Sequence, residues 1–386
     1  MDPLQTIYMD YNATTPIRDE VLTMMNEVAR QCYGNPSSVH LPGRMSKACL
    51  EEARRKVAES LGADPSEICF TNGGSESDNL AIKGVASMHD TGHIITTCIE
   101  HSAVKNSCEY LKTKGYEVTC LRVDGGGYVD PKLIEDAIRP DTILITVMWA
   151  NNETGQIQPI EEVVRVAKRH NVLFHTDAVQ AFGKIPVNVR TVPVDLLSIS
   201  GHKFYGPKGV GALYIRSGVE LVPLVHGGGQ EMQLRSGTEN VIGVAALGEA
   251  CRLAVVDLDT SAAKLSALRD RLEQGILEKV SDTRISGDPG NRVPNTTNIA
   301  FRGIGAGELI RRLDESGFAI SGASACASSK AEPSAVLMKG MGLTREEAIG
   351  AVRISLGKHS QESHIDQFLD LLPGIVEQLR VAQSRS

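Results

Sequence analysis

Short apolar segments without helical periodicity recur along the first half of the chain and alternate with longer segments of helical spacing. The segment 142–148 is a clear case, because almost every side chain in it is apolar or Thr, as expected for a strand covered on both faces. Segments of this type predict strands at 67–71, 93–98, 116–123, 142–148, 172–177, 194–199 and 210–215. Because helices separate most of these strands, we expect an α/β fold with a mainly parallel seven-stranded sheet. Ligands of such sheets bind beyond the carboxyl ends of the strands.

Helical periodicity dominates on either side of this region. Two helices are predicted before it, at 18–32 and 45–61. Beyond it, the pattern predicts helices at 240–280, 306–316 and 362–380 and strands at 297–301 and 318–320. We therefore expect two domains: a large domain of residues 15–257 and a smaller α+β domain of residues 1–14 and 258–386.

Composition and charge exclude several classes of protein. Of the 386 residues, 41% are hydrophobic and 23% are charged, which is ordinary for a globular chain long enough for two domains. The net charge of -7 provides no general basic surface, so neither nucleic acid nor an anionic membrane is an expected partner. The longest apolar run, 143–150, is too short to span a bilayer, and the first residues have no basic leader. A cytoplasmic location is expected.

The eight cysteines are expected to be reduced thiols. A chain of this size does not need disulfides to fold, and no pair has the C-x-x-C spacing of a zinc or redox motif. Most of them, such as Cys69 and Cys98, lie in apolar segments and are expected to be small buried hydrophobic residues.

Lys203 follows the predicted strand 194–199 in a stretch that glycine and proline keep from continuing as regular structure. An amine at the end of a strand, close to Ser200 and His202, can form a Schiff base with a carbonyl cofactor such as pyridoxal phosphate. Taken alone, a lysine in a glycine-rich loop is more often an ordinary surface residue. The interpretation depends on what the neighbouring strands contribute.

Polar groups suited to one cofactor follow five of the seven predicted strands. The stretch 72–78 opens a helix after the first of them, and its free backbone N–H groups predict a phosphate cradle. His101 follows the next strand, where its imidazole can lie against a cofactor ring. Asn152 lies in an amide-rich turn, and Asp177 and Gln180 follow the strand 172–177. A carboxylate such as Asp177 can keep a pyridine nitrogen protonated and so make the ring an electron sink.

Seven motifs of the chain resemble the cysteine desulfurase family, and the match runs nearly end to end. They are Asn-Pro-Ser-Ser-Val-His at 35–40, Gly-Ser-Glu-Ser-Asp-Asn at 74–79, Glu-His at 100–101, Asn-Asn-Glu-Thr-Gly at 151–155, His-Thr-Asp-Ala-Val-Gln at 175–180, Ser-Gly-His-Lys at 200–203 and Arg-Ser-Gly-Thr-Glu-Asn at 235–240. The resemblance implies a homodimeric pyridoxal-phosphate enzyme with the aspartate-aminotransferase-like fold.

The same resemblance implies a role for each residue. Lys203 resembles the Schiff-base lysine, Asp177 the partner of the pyridine nitrogen and His101 the residue stacked on the ring. Asn152 and Gln180 resemble the residues around the ring hydroxyl and the bound amino acid. The expected phosphate ligands are Gly74, Ser75, Ser200 and His202, together with Thr238 from the other subunit. Family members often have Thr in place of Ser75, and the hydroxyl is kept.

A second nucleophile is expected at Cys326, within the small and polar stretch 321–330, which is typical of a mobile loop. The resemblance implies that Cys326 takes sulfur from L-cysteine as a persulfide, that L-alanine is released, and that Arg353 holds the substrate carboxylate. Family loops more often read Ser-Gly-Ser-Ala-Cys, so Ala323-Ser324 is a mild departure that leaves the thiol in place. An iron–sulfur scaffold protein is the implied sulfur acceptor, and Cys326 is also a candidate transient ligand of its 2Fe–2S iron cluster.

Other interpretations of the sequence stay open at this point. The nearest alternatives are a selenocysteine lyase and another pyridoxal-phosphate lyase or aminotransferase on the same scaffold. A non-catalytic scaffold for iron–sulfur assembly belongs to a different class, and the intact set of Lys203, Asp177, His101 and Cys326 argues against it. A Cys/His metal-binding protein lacks the required ligand spacing. The acceptor itself, whether for iron–sulfur clusters, tRNA thiolation or nitrogenase, is not named by the sequence.

Overall fold

A computed structural model describes residues 6–322, 334 and 336–383 of the chain. Within these residues, seven strands form the main sheet in the order β2-β8-β7-β6-β5-β3-β4. These strands are β2 (Ile68–Thr71), β3 (His93–Thr97), β4 (Glu117–Leu121), β5 (Thr142–Thr146), β6 (Leu173–Asp177), β7 (Leu196–Ser200) and β8 (Gly211–Ile215). Neighbours from β7 to β4 pair in parallel, whereas β8 is antiparallel to both β2 and β7. The mainly parallel α/β sheet predicted from the sequence is confirmed.

The reversed direction of β8 follows from its short connection to β7. A 3₁₀ turn at Gly201–Lys203 follows β7 directly, and the chain enters β8 at Gly211. A parallel connection needs a crossover of a dozen or more residues, which this stretch is too short to provide. The turn that reverses the chain therefore places Lys203 at the carboxyl end of β7.

Helices cover both faces of this sheet. They are α1 (Asp19–Gln31), α2 (Leu41–Leu61), α3 (Gly74–Ala86), α4 (Ser102–Lys112), α5 (Pro131–Ala137), α6 (Ile160–Arg169) and α7 (Val241–Val256). Helix α6 shows why such segments are helical, since Ile160, Val163, Val164 and Ala167 form its buried face while charged residues occupy the other face. Helix α2 ends at Gly62, which has φ +70° and so adopts the left-handed conformation that glycine favours.

The C-terminal part of the chain builds a smaller antiparallel sheet. Its described strands are ordered β12-β13-β10-β9, with β9 (Thr283–Ile285), β10 (Thr296–Phe301), β12 (Ser321–Gly322) and β13 (Ala351–Ser355). Four helices accompany it: α8 (Leu258–Lys279), α9 (Ala306–Glu315), α10 (Arg345–Ile349) and α11 (Glu362–Gln383). A separate parallel pair joins β1 (Ile7–Tyr8) to β11 (Phe318–Ala319). The predicted helical stretch 240–280 is two helices, α7 and α8.

Three hydrophobic clusters lie within the described residues. Two contain side chains of the main sheet and its helices, and the third gathers Met9 with side chains of α8, α9, α11 and the smaller sheet. The boundaries of 15–257 for the large domain and of 1–14 with 258–386 for the small domain stay predictions. No helix among the residues described is long and apolar enough to cross a membrane.

Candidate active site

A cavity of about 770 Å³ lies over the carboxyl ends of β3, β5, β6 and β7, where the sequence predicted a ligand site. The residues predicted from the sequence that line it are Gly74, Ser75, His101, Asn152, Asp177, Gln180, Ser200, His202, Lys203 and Arg353. They come from separate strands and converge because parallel strands end at the same edge of a sheet.

Two predicted site residues lie elsewhere. Thr238 is exposed and is not part of this cavity in the single chain. Cys326 falls within the stretch 323–333, outside the described residues.

Lys203 lies half-buried at the end of the 3₁₀ turn that follows β7. Its Nζ donates hydrogen bonds of 2.7 and 2.8 Å to the backbone oxygens of Asn12 and Ala13. Both residues also line the cavity. The N-terminal segment thus holds the amine at the cavity wall, a role for residues 12 and 13 that the sequence analysis missed.

The start of α3 forms a backbone cradle. Gly73, just before the helix, has φ +141°, a conformation that side chains disfavour. A Cβ on Gly74 would lie 2.7 Å from Cγ2 of Val179, and a Cβ on Gly211 would lie 2.7 Å from Cα of Gly73. Close packing of these three glycines leaves the N-terminal N–H groups of α3 facing the cavity with Ser200 beside them. This geometry suits an anion such as a phosphate group.

His202 is held in its neutral form next to this cradle. Burial lowers the pKa of His202 to about 4, and the positive charges of Lys203 and Lys208 act in the same direction. Its Nδ1 lies 3.1 Å from Oγ1 of Thr14. A neutral imidazole between two lysines can still donate a hydrogen bond to an anion without adding a charge.

His101 and Asp177 face the middle of the cavity. His101 caps α4, since its Nδ1 accepts a 3.1 Å hydrogen bond from the backbone N–H of Ala103. Oδ1 of Asp177 accepts a 2.9 Å bond from the N–H of Val179. Ligand atoms of Asp78, His101 and Asp177 all lie within 4.8 Å of one another. Burial raises the pKa of Asp177, and the neighbouring His101 and Lys203 oppose that shift.

A layer of buried polar residues lies beside Asp177 and consists of Asp78, Thr146, His175 and Ser198. His175 lies between Oγ1 of Thr146 at 2.8 Å and Oγ of Ser198 at 3.0 Å, and burial lowers its pKa to about 3. The Oδ1 of Asp78 lies 3.6 Å from Nε2 of His175. Burial, together with repulsion from Asp177, raises the pKa of Asp78 well above its usual range. The sequence analysis missed this layer, although Asp78 and His175 belong to two of the motifs it quoted.

Arg353 enters the cavity from β13 of the smaller sheet. Its side chain is only 2% exposed, and Nη2 lies 2.7 Å from Oδ1 of Asp10. Nη1 donates a 3.0 Å hydrogen bond to the backbone oxygen of Asn152. The two partners hold the guanidinium next to the turn that carries Asn152 and so give the cavity a fixed cationic wall.

Two further buried carboxyls line the cavity, and the sequence analysis assigned neither a role. Oε1 of Glu100 accepts hydrogen bonds from Oγ1 of Thr97 at 2.6 Å and from the N–H of Met148 at 3.0 Å. Burial raises the pKa of Glu100 to about 8 and that of Glu153 to about 7. Such shifts favour the protonated acids near neutral pH, so the net negative charge of the cavity is smaller than its carboxyl count suggests.

Comparison with known proteins agrees with this geometry. Residues 7–368 match the family model described as aminotransferase class-V. A curated protein of Dictyoglomus turgidum named cysteine desulfurase IscS is 47% identical over 376 residues, which cover 97% of this chain and 95% of that protein. A protein of the same name from Methanosarcina thermophila is 48% identical, covering 97% of this chain and 93% of its own length.

Solved structures support the same assignment. A NifS-like protein superposes with a TM-score of 0.91 at 41% identity, covering 97% of this chain and 100% of its own. A structure titled SspA in complex with cysteine has a TM-score of 0.81 at 41% identity, covering 91% of this chain and 99% of its own. The chain belongs to the class-V aminotransferase family and, within it, to the cysteine desulfurases.

Proposed function

We propose that this chain is a pyridoxal-phosphate-dependent cysteine desulfurase that converts L-cysteine to L-alanine and retains the sulfur as a persulfide on Cys326. The observation that carries the proposal is the convergence of Lys203, Asp177 and His101 with Arg353 in one cavity. The first three suit a pyridine aldehyde cofactor, and Arg353 suits the carboxylate of an amino acid.

The cavity fits the cofactor by its own chemistry. A Cβ on Gly74 or Gly211 would clash with its neighbours, and Gly73 has φ +141°, so glycine at these three positions lets the backbone at the start of α3 line the cavity. Ser75, Ser200 and neutral His202 would hold the phosphate with these N–H groups, while Asp177 would face the ring nitrogen and His101 the ring. Pyridoxal phosphate, when bound, supplies an electron sink for the electron pair left at Cα of an amino acid.

The side chains around the cavity have separate proposed roles in substrate binding and proton transfer. Arg353 binds the carboxylate of L-cysteine and, with Asn152, orients the Cα–H bond. Lys203 accepts the proton from Cα, since it lines the same cavity as Arg353, which binds the substrate carboxylate. Asp177 keeps a negative charge opposite the ring nitrogen. His101 covers the cavity and limits the entry of water.

Cys326 is proposed as the nucleophile toward the sulfur of L-cysteine. Its thiolate forms an S–S bond with the substrate sulfur, and the substrate Cβ–S bond breaks with its electron pair passing to the carbon side. Protonation of the carbon skeleton releases L-alanine, and the sulfur remains on Cys326 as a persulfide. Transfer of this sulfur to an iron–sulfur scaffold protein is the proposed next step, in line with the names of the relatives.

We propose that the enzyme is a homodimer formed through the surface around the start of α2. Tyr33 is 76% exposed, Val39 is 88% exposed and Leu41 is 60% exposed. A cavity of about 510 Å³ beside them is lined by residues 36 and 37 together with Met232. Exposed apolar groups of this size mark interfaces. Thr238 lies six residues after Met232, which suits its expected place in the partner's phosphate site.

Sedimentation of Val39→Glu tests the dimer. A charge at the centre of the surface should give a monomer with reduced activity, because each site would lose Thr238 of the partner subunit. Leu133→Glu, at a residue that is 46% exposed on α5, is the matched control and should stay dimeric. A Val39→Glu protein that sediments like the parent would exclude this interface.

The desulfurase proposal is tested by intact mass after brief exposure to L-cysteine. We expect a gain of one sulfur on the peptide that carries Cys326, with L-alanine in solution. Lys203→Ala should form no L-alanine and Cys326→Ala no persulfide, whereas Cys120→Ala, at an exposed cysteine, should behave like the parent. Sulfur delivery at the parental rate by Cys326→Ala would refute the assignment of that thiol. The cytoplasmic location and the role of Cys326 as a 2Fe–2S ligand stay predictions.

A further inference from the structure

Lys184 is a buried lysine behind the cofactor cavity that the proposed mechanism does not use. Its Nζ donates hydrogen bonds to Oε1 of Gln180 and, at 2.8 Å, to Oδ1 of Asn12. No carboxylate lies within 4.0 Å of Nζ among the described residues. Burial lowers the pKa of Lys184 well below its usual range, and the charges of Lys203 and Arg353 add to that effect. Burying an amine without an ion-pair partner costs free energy, so the hydrogen bonds of Lys184 have to replace its contacts with water.

The bond from Lys184 fixes which end of the Gln180 amide faces which neighbour. The amide oxygen of Gln180 points toward Lys184 and accepts a hydrogen bond from its Nζ. The amide nitrogen then lies at the other end, where Nε2 donates a 3.0 Å hydrogen bond to the backbone oxygen of Asn12. Nε2 carries a second hydrogen, and no acceptor within the described part of the chain takes it. Gln180 lines the cavity, so this hydrogen is available to a bound molecule.

Asn12 connects the same arrangement to the reactive amine. Its backbone oxygen accepts from Nζ of Lys203 at 2.7 Å as well as from Gln180. Its side-chain oxygen accepts from Lys184 and, at 3.2 Å, from Nδ2 of Asn295. Its Nδ2 donates a 2.8 Å bond to Oγ1 of Thr296. Asn12 is therefore held by several partners, and Lys184 adds a second link between Asn12 and Gln180 beside their direct hydrogen bond.

Lys184 does not line the active cavity. It lines a separate space of about 40 Å³ behind the cavity wall, together with Lys203 and Phe204. Its effect on a bound molecule must therefore pass through Gln180 and Asn12.

We propose that Lys184 is a positioning residue: it holds the Gln180 amide with its N–H toward the cavity, where, as the family resemblance implies, Gln180 would face the ring hydroxyl of pyridoxal phosphate. The inference rests on the proposed function for the identity of the cofactor. Without Lys184, only the bond from Nε2 to the backbone oxygen of Asn12 holds the amide, so its second N–H is aimed less firmly at an anionic phenolic oxygen. A donor stabilises that anion and lowers the pKa of the cofactor linkage, whereas an acceptor raises it.

Lys184→Met tests the inference, because methionine keeps the length of the side chain and removes its donors. The pH midpoint of the visible absorbance of the holoenzyme should rise by about one unit, which corresponds to about tenfold in the proton equilibrium. Lys56→Met is the matched control. Nζ of Lys56 lies 2.9 Å from Oε2 of Glu249, and neither residue lines the cavity. Its absorbance midpoint should match that of the parent.

A double-mutant cycle separates positioning from general structural damage. In a Gln180→Ala background, the change Lys184→Met should produce no further shift of the midpoint, because the amide through which Lys184 acts is gone. An equal shift in both backgrounds would overturn the proposal. An unchanged pH midpoint of the visible absorbance in the single variant Lys184→Met would also overturn the proposal.

A second readout uses the apoenzyme, in which Trp149 is the only tryptophan. Trp149 follows Met148, which lines the cavity, and its backbone N–H donates to the backbone oxygen of Asp177 at 2.8 Å, so we expect its fluorescence to change when the cofactor binds. Lys184→Met should weaken the binding of pyridoxal phosphate about tenfold, and Lys184→Gln, which keeps one amide donor, should fall between it and the parent. If Lys184→Met does not fold, Lys184→Leu replaces it in the cycle, and a parental midpoint and affinity in Lys184→Leu would overturn the proposal.

The outcomes distinguish this inference from the proposed function. A parent protein that binds pyridoxal phosphate while its Lys184 variants show the parental midpoint defeats only the inference. A parent protein that gives no fluorescence change and no visible absorbance with pyridoxal phosphate defeats the proposed function and the inference with it.

Discussion

Oγ of Ser334 donates a 2.5 Å hydrogen bond to Oε2 of Glu153, a buried carboxyl that lines the same cavity as Lys203. Oγ of Ser334 also accepts from the backbone N–H of Leu337 at the start of the segment Val336–Gly340. The bond connects the C-terminal part of the chain directly to the turn that carries Asn152. This bond also holds Glu153, whose pKa is raised by burial, at the wall of the cavity.

The pKa of Glu153 predicts a specific pH dependence of stability. Burial raises this pKa from 4.5 to about 7, so between these values the folded chain keeps a proton that the unfolded chain releases. The contribution of Glu153 to the free energy of unfolding is therefore full below about pH 4.5, falls up to about pH 7 and is constant above it. The loss amounts to roughly 3 kcal/mol.

Urea unfolding of the parent and Glu153→Gln from pH 5 to pH 8 measures this effect. The amide introduced by Glu153→Gln cannot ionise but can still accept from Ser334, so the parent should lose stability relative to this variant as the pH rises. Glu52→Gln changes an exposed carboxyl and should show a flat difference. A flat difference for Glu153→Gln as well would contradict the raised pKa.

Arg54 forms a buried bidentate ion pair with Glu231, at distances of 2.8 and 2.9 Å. Glu231 also accepts from the N–H of Phe70 and begins a turn whose residues have positive φ. Arg54→Met leaves this carboxylate buried without its partner, so we expect a loss of about 3–5 kcal/mol in the free energy of unfolding.

The neighbouring Arg55 is the matched control for that experiment. Arg55 lies on the same helix and pairs with exposed Glu52 and Glu59 at the surface. Arg55→Met should change the free energy of unfolding by no more than about 0.5 kcal/mol. Equal losses in the two variants, measured by urea unfolding, would show that burial of the pair does not decide its effect.

Gly211 is expected to be essential for the phosphate cradle. A Cβ there would lie 2.5 Å from the backbone oxygen of Ile199 and 2.7 Å from Cα of Gly73, and neither backbone atom can move aside cheaply. Gly211→Ala should weaken pyridoxal phosphate binding at least about tenfold, measured by Trp149 fluorescence. Gly307→Ala, in α9 with no atom within 4 Å of the new Cβ, should bind normally. Normal binding by Gly211→Ala would contradict a cradle at Gly73.

Arg353→Lys should lower kcat/KM for L-cysteine by about 10–100-fold, mainly through a higher KM. A lysine provides one point charge, whereas the guanidinium binds a carboxylate with two parallel bonds and stays joined to Asp10. Arg284→Lys is the control, since Arg284 lies on β9 of the same sheet with its side chain 50% exposed. An unchanged KM in Arg353→Lys would remove Arg353 from the substrate site.

The order of strands along the chain and the groups at their ends were predictable from local sequence. Apolar runs such as 142–148 and 194–199 show where the buried strands lie, because a strand covered on both faces carries apolar side chains on both. Glycine and proline around Lys203 predict the turn that exposes it at the end of β7. Since parallel strands end at one edge, the meeting of His101 and Asp177 followed from the fold class alone.

The polar contacts in and behind the cavity wall could not be predicted in this way. Lys184, Asn12 and Asp10 are ordinary polar residues in the sequence, and their roles depend on contacts with residues far along the chain. Asp10 meets Arg353 only because β13 lies beside the N-terminal segment, where a bridge joins Asp10 to Ser355. The buried Asp78 looks like any helical carboxyl until the sheet covers it.

The sequence by itself determined the family, the α/β class and most of the residues that surround the cofactor cavity, because these follow from apolar periodicity, turn residues and local motifs. Only the tertiary structure decided the reversed direction of β8, the ion pair of Arg353 and the hydrogen bond from Lys184 to Gln180. The physical reason is burial. Desolvation and hydrogen-bond partners set the charge and orientation of a polar group, and both are supplied by parts of the chain that meet only in the fold.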